Sequence, residues 1–134
     1  YFAYQTGLYI GFWPALFLGI LCNVLVCLAV WLSLGARGTA DKVLAILFPV
    51  AAFVAAGFEH SVANMYLLPA GLFIEALAPA WFWSEIGAKV ADIEALSWGR
   101  FALGLVPVTI GNVIGGGVLV GAVYWFVYLR RRET

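Results

Sequence analysis

Charge is what this chain lacks most. Of its 134 residues only 10% are Asp, Glu, Lys or Arg, while 65% are hydrophobic. A soluble domain has about a quarter of its residues charged and roughly half apolar, so an ordinary water-facing globule is excluded. Seven acidic and seven basic residues cancel. No global field gathers nucleic acid, and no nucleic-acid partner is expected. His and Met occur once each and Cys twice, which leaves no CxxC motif and no Cys/His metal spacing. No metal and no cofactor is expected. Cys22 and Cys27 lie five residues apart, about 140° around a helix axis, so a disulfide within that helix is excluded. They read as small apolar packing residues. The chain opens on Tyr1 with no basic segment ahead of a short apolar one, so there is no signal peptide to set aside. It is expected to be a fragment whose true start lies upstream.

What is there is long apolar spans. The first covers about 9–33, from Tyr9 to Ser33, and holds no charged residue. At 1.5 Å per residue that is roughly 37 Å of helix, enough to cross a bilayer with tilt. A short polar hairpin, Gly35 to Lys42, follows, with Gly, Thr and Asp suited to a turn and to the cap of the next helix.

The second span, about 43–77, is too long for one simple crossing and is punctuated by Pro49, Gly57, Pro69 and Gly71. Near its middle stand Glu59, the lone His60 and Asn64, inside an otherwise apolar run. The pattern predicts two half-helices, 43–55 and 62–76, joined by non-helical backbone near 56–61. Bare backbone at membrane depth must be satisfied by protein or by a watery cavity. Broken helices with polar groups at the midplane recur in transporter sites, and ionisable groups there mark a solute or proton pathway. Ser61 reads as the N-cap of the second half-helix, whose positive dipole end would then face the midplane.

Residues 78–99 read as an outer connection with Trp81, Trp83 and Trp98 as interfacial anchors. Glu85, Lys89, Asp92 and Glu94 make it wet, and a short amphipathic helix on the surface is weakly signalled. The third span, about 101–129, ends in an aromatic belt, Tyr124 to Tyr128, followed by Arg130, Arg131 and Arg132. By the positive-inside rule this end is cytoplasmic. Gly111/Gly115 and Gly117/Gly121 form two small-xxx-small pairs that let helix backbones approach, within the chain or between subunits. The fold class is therefore all-α transmembrane, a single membrane domain over 1–134 with three spans, the middle one broken.

Three stretches now carry a resemblance. Gly19-Ile20-Leu21-Cys22-Asn23-Val24-Leu25-Val26-Cys27, Phe53 to Met65 around Gly57-Phe58-Glu59-His60-Ser61, and Pro107-Val108-Thr109-Ile110-Gly111-Asn112 through Gly117 resemble, in order, signatures of the formate/nitrite transporter family. Together they cover nearly the whole chain, and the last leans toward formate-type members. The resemblance implies half of an aquaporin-like inverted-repeat protomer, spans four to six of six, in a multi-pass protein of the inner or plasma membrane. It also implies a homopentamer with a pore through each protomer. The substrates implied are small monovalent anions of weak acids: formate, nitrite, hydrosulfide, and in some members lactate or acetate. Leu18, Gly104 and the Gln5-Thr6-Gly7-Leu8 run stand where family members commonly carry basic residues or Asn.

Within that frame the polar residues take roles. A bare anion meets a large solvation penalty in hydrocarbon, which its neutral acid largely avoids. His60, with an unperturbed pKa of about 6.5, suits proton exchange near neutral pH, either as proton donor or as hydrogen-bond partner. The resemblance implies Asn23 as a pore-facing group near His60 and Phe53 as a hydrophobic constriction beside it. Asn112 carries the same two readings as Asn23, pore group or helix glue. Glu59 either tunes His60 or, the favoured reading, bonds the freed backbone of the break. The resulting expectation is a channel, not an enzyme. Its rivals are a neutral-solute channel of similar shape and a haem-bearing membrane anchor, for which His60 and Met65 make poor ligation geometry.

Overall fold

A computed structural model describes residues 10–86 and 97–130. Among them every regular element is helical. α1 is Phe12–Gly35, α2 Thr39–Ala55, α3 Ser61–Leu77, α4 Ala80–Ile86 and α5 Trp98–Leu129. α1 and α5 are each long and apolar enough to cross a membrane, and α3 is a shorter apolar helix. α5 is not uniform. It winds as an α-helix over Trp98–Val113, as a wider π-helix over Ile114–Val120, as one α turn over Gly121–Tyr124, and as π-helix again over Trp125–Leu129.

The boundaries differ from the sequence pattern in two instructive places. Thr39, Ala40, Asp41 and Lys42, expected in the polar hairpin, form the first turn of α2. Asp41 explains it. Its Oδ2 accepts the Gly38 backbone N–H at 3.1 Å, the one half of a capping box that a glycine N-cap allows, and its charge favours the positive end of the helix. At the other side, Ser97 caps α5 by accepting the Arg100 N–H on its Oγ at 3.3 Å, which draws Trp98 into the first turn. The outer connection contains the seven-residue α4, while Lys89, Asp92 and Glu94 lie outside the described residues. So do Gln5 to Leu8 and Arg131.

α1 and α5 run in the same direction with their backbones in contact. A Cβ on Gly111 would run into the Leu16 carbonyl oxygen, and one on Gly115 into that of Ile20. A Cβ on Gly19 would stand 2.8 Å from the Val108 oxygen. Only glycine allows this approach. Further along, Trp31 meets Tyr124 and Tyr128 edge-on, with ring centroids 6.3 and 5.9 Å apart. The second glycine pair behaves differently. A Cβ on Gly117 or Gly121 would meet nothing closer than 3.9 Å. A methyl group at either position would make only ordinary van der Waals contact within the described chain.

The middle span breaks where Gly57 stands. Gly57 has φ of +68°, alone among the described residues in the left-handed region. Its N–H donates to the Val54 carbonyl at 3.1 Å, and the Phe58 N–H donates to the Phe53 carbonyl at 3.0 Å. This pair of bonds is the Schellman motif, which ends a helix by satisfying carbonyls the next turn would have used. Pro69 and Gly71 do not interrupt α3.

Candidate functional site

The break leaves backbone groups to satisfy, and the site is best built from them. α3 begins at Ser61, and its first N–H groups have no partner inside the helix. Asn112, on α5, reaches across. Its Oδ1 accepts both the backbone N–H and the hydroxyl of Ser61, each at 2.9 Å. Its Nδ2 donates to the carbonyls of Gly19 on α1 at 2.9 Å and of Glu59 in the break at 3.0 Å. Two acceptor positions and two N–H groups are all an Asn amide has. Asn112 is buried and fully used. Asn23 of α1 completes the junction, its Nδ2 donating to the Asn112 backbone carbonyl at 2.6 Å. The Asn23 amide fills the space over Gly116, where a Cβ would collide with Nδ2.

The cap of α3 is His60, not Ser61. His60 sits in the extended region, φ −120° and ψ 116°, and its Nδ1 accepts the Ala63 N–H at 3.3 Å. Its carbonyl accepts the Asn64 N–H at 2.9 Å, the first bond of the helix. Ser61 misses the cap because Asn112 takes both its hydroxyl and its amide. Phe53, at the end of α2, stacks on the His60 ring with centroids 5.9 Å apart and planes 20° from parallel. Both rings are half-buried. The neutral imidazole has one lone pair and one N–H. With Nδ1 accepting, the N–H is on Nε2.

Glu59 does not bond the freed backbone, as the sequence reading favoured; Asn112 does. The Glu59 side chain is fully buried, and Oε2 accepts from Asn64 Nδ2 at 2.6 Å. Oε1 has no hydrogen-bond partner among the described residues. Three of the predicted residues, Glu59, His60 and Phe53, thus meet at the break. Asn23 and Asn112 join them from α1 and α5 through one bonded junction. Sequence reasoning missed Asn64 as the partner of Glu59. A polar residue on the first turn after an ionisable pair was the available signal.

A broken span, restarted by a histidine and pinned by a buried amide from a neighbouring helix, defines a polytopic membrane protein of transporter construction. The chain belongs to the formate/nitrite transporter family, which it matches over residues 3–126. It is 48% identical over 123 residues to the formate channel FocA of Escherichia coli strain K12, covering 91% of this chain and 43% of that one. The formate channel FocB of the same strain is 43% identical over 115 residues, with 85% and 41% covered. A solved structure described as a pentameric formate channel with formate bound superposes with a TM-score of 0.84 at 46% identity, over 95% of this chain and 50% of that one. The chain spans half or less of the length of these relatives.

Proposed function

We propose that this chain forms one half of the wall of a channel for small monovalent weak-acid anions, formate first among them, within a homopentamer. The capped His60 at the break carries the reading. Its Nδ1 is engaged by the Ala63 amide, which leaves Nε2–H as a single donor for an anion oxygen. The N-terminus of α3 adds its positive dipole end at the same place, favouring negative charge. Phe53, stacked on the ring, narrows the approach and keeps it apolar. Asn23 is half-buried and uses one N–H on Asn112, so its Oδ1 remains as an acceptor for a solute that carries a proton. Donor and acceptor together suit a weak acid at the moment it changes protonation state. That exchange would spare the bare anion an idealised desolvation penalty of order 20 kcal/mol. Asn112 moves from the pore to the scaffold in this reading, because its amide has nothing left to offer a solute.

The similarity to formate channels, in sequence and in fold, supports formate as the substrate class. The site passes a solute with no change to it beyond its protonation, so the protein acts as a channel in the inner or plasma membrane rather than as an enzyme. By the positive-inside rule, Arg37, Lys42 and Arg130 support a cytoplasmic position for the C-terminal ends of α1 and α5. The test is uptake into proteoliposomes by the full-length protein, comparing formate, nitrite and hydrosulfide across pH. Formate uptake that rises as pH falls, and disappears in His60→Ala, is the expected result. Formate uptake with unchanged pH dependence in that variant would overturn the role of His60.

A further inference from the structure

The Ala63–His60 bond has a consequence for proton movement. A neutral imidazole holds one basic lone pair, and here Nδ1 spends it on the Ala63 N–H at 3.3 Å. The other nitrogen, Nε2, already carries hydrogen and cannot take a second. A proton arriving at His60 therefore has one place to go, and that place is occupied by the cap of α3. Resting on the channel reading above, we infer that His60 gains a proton only by releasing the Ala63 amide, so that charging the ring and opening the first turn of α3 are one event. In that event an oxonium ion or an undissociated weak acid gives its proton to Nδ1 and leaves as water or as the conjugate anion. The donor's O–H bond breaks with its electron pair left on the departing oxygen, the Nδ1–H bond forms, and the N–H···Nδ1 hydrogen bond is lost.

The surroundings add to the coupling. An imidazolium at the start of α3 would face the positive end of that helix, which disfavours a cation. Among the described residues no ion pair reaches the ring, although the carboxyl of the preceding residue, Glu59, keeps Oε1 without a hydrogen-bond partner. Glu59 directs Oε2 to Asn64, and Cys22 of α1 is the ionisable group beside Glu59. α2 presents Phe53, which has no charge, and α5 presents Asn112, already saturated. The capped ring is thus a donor only, through Nε2–H. The uncapped ring is the proton source. These are two states of the site with different local backbone.

The experiment is a pH titration of the full-length protein in bilayers with 15N-labelled His and backbone. It reads the His60 ring nitrogens together with hydrogen exchange at the Ala63 amide. The expected result is a neutral ring protonated on Nε2, with Ala63 protected. As the ring becomes doubly protonated, Ala63 exchange should accelerate at least tenfold with the same midpoint. A neutral ring protonated on Nδ1, or an imidazolium beside a still-protected Ala63, overturns the inference. If the ring stays neutral throughout, the tautomer decides. A second variant guards against misfolding: His60→Asn caps through an oxygen that does not titrate, so Ala63 exchange should lose its step with pH beyond the intrinsic base-catalysed trend. A retained step would equally overturn the coupling. A folded protein that moves no formate would defeat the channel reading while leaving these resonances to decide the coupling.

Discussion

Asn112 Oδ1 accepts two hydrogen bonds from Ser61, one from its backbone and one from its hydroxyl, both 2.9 Å long, across 51 positions of sequence. One side chain on the last span therefore fixes where the second half of the middle span begins. Replacing Asn112 by Ala strands the Ser61 amide and hydroxyl and the Glu59 carbonyl, while the Gly19 carbonyl keeps its bond within α1. Each buried orphan is worth about 1–3 kcal/mol. Asn112→Ala should destabilise the protein by roughly 3 kcal/mol or more, since more than one group loses its partner. Thermal unfolding in detergent reads this, and a midpoint equal to the parent's would contradict the clamp.

Gly57 should resist substitution for a reason unconnected with crowding. No atom lies within 4 Å of where its Cβ would be, yet its φ is +68°. Gly57→Ala should cost about 1–2 kcal/mol through the left-handed backbone alone. Gly57→Asn should recover part of that, because Asn visits this region more readily. Equal unfolding midpoints for the Ala and Asn variants would argue against strain as the cause.

The two glycine pairs on α5 should separate cleanly. Gly111→Ala and Gly115→Ala push α1 away, because the neighbouring carbonyls cannot yield as a flexible side chain would. A loss of about 1–3 kcal/mol each is expected. Gly117→Ala and Gly121→Ala make only ordinary van der Waals contact within the chain, and helix propensity even favours Ala there by up to about 1 kcal/mol. If those two proved as damaging as the first pair in the full-length protein, another helix or subunit would be seated on that face.

Phe53→Ala should change selectivity more than stability. The ring is half-buried and covers His60. Its removal should raise uptake of larger weak acids, such as lactate, relative to formate. The ratio of the two rates in proteoliposomes is the measurement, and an unaltered ratio would remove Phe53 from the constriction.

Much of the fold could be read from the chain because its signals are local. An uncharged run of about 25 residues can do little else than cross a membrane as a helix. Gly57 beside Glu59 and His60 marked the break for the same reason: a flexible residue and two ionisable ones are out of place in hydrocarbon. The assignments that changed depended on which of several possible partners each polar group takes, near or far in sequence. Ser61 is the better N-cap by type, but Asn112 claims it, and no pattern within α3 announces a residue 51 positions later. Glu59 seemed free to bond the backbone until Asn64 and Asn112 divided those duties. Asp41 suited both the turn and the cap of the next helix, and it is the acceptor that starts α2, with Lys42 in the same turn.

The junction at Asn112 also sets an order of assembly. Chains enter membranes from their N-terminal end, so α2 and α3 arrive before α5 exists to meet them. Until it does, the Glu59 carbonyl and the Ser61 amide have no amide to hold them. The centre of the sequence is therefore finished only after its far end has been synthesised, and a ribosome stalled before Asn112 would leave a bent, thirsty segment that the insertion machinery must shelter.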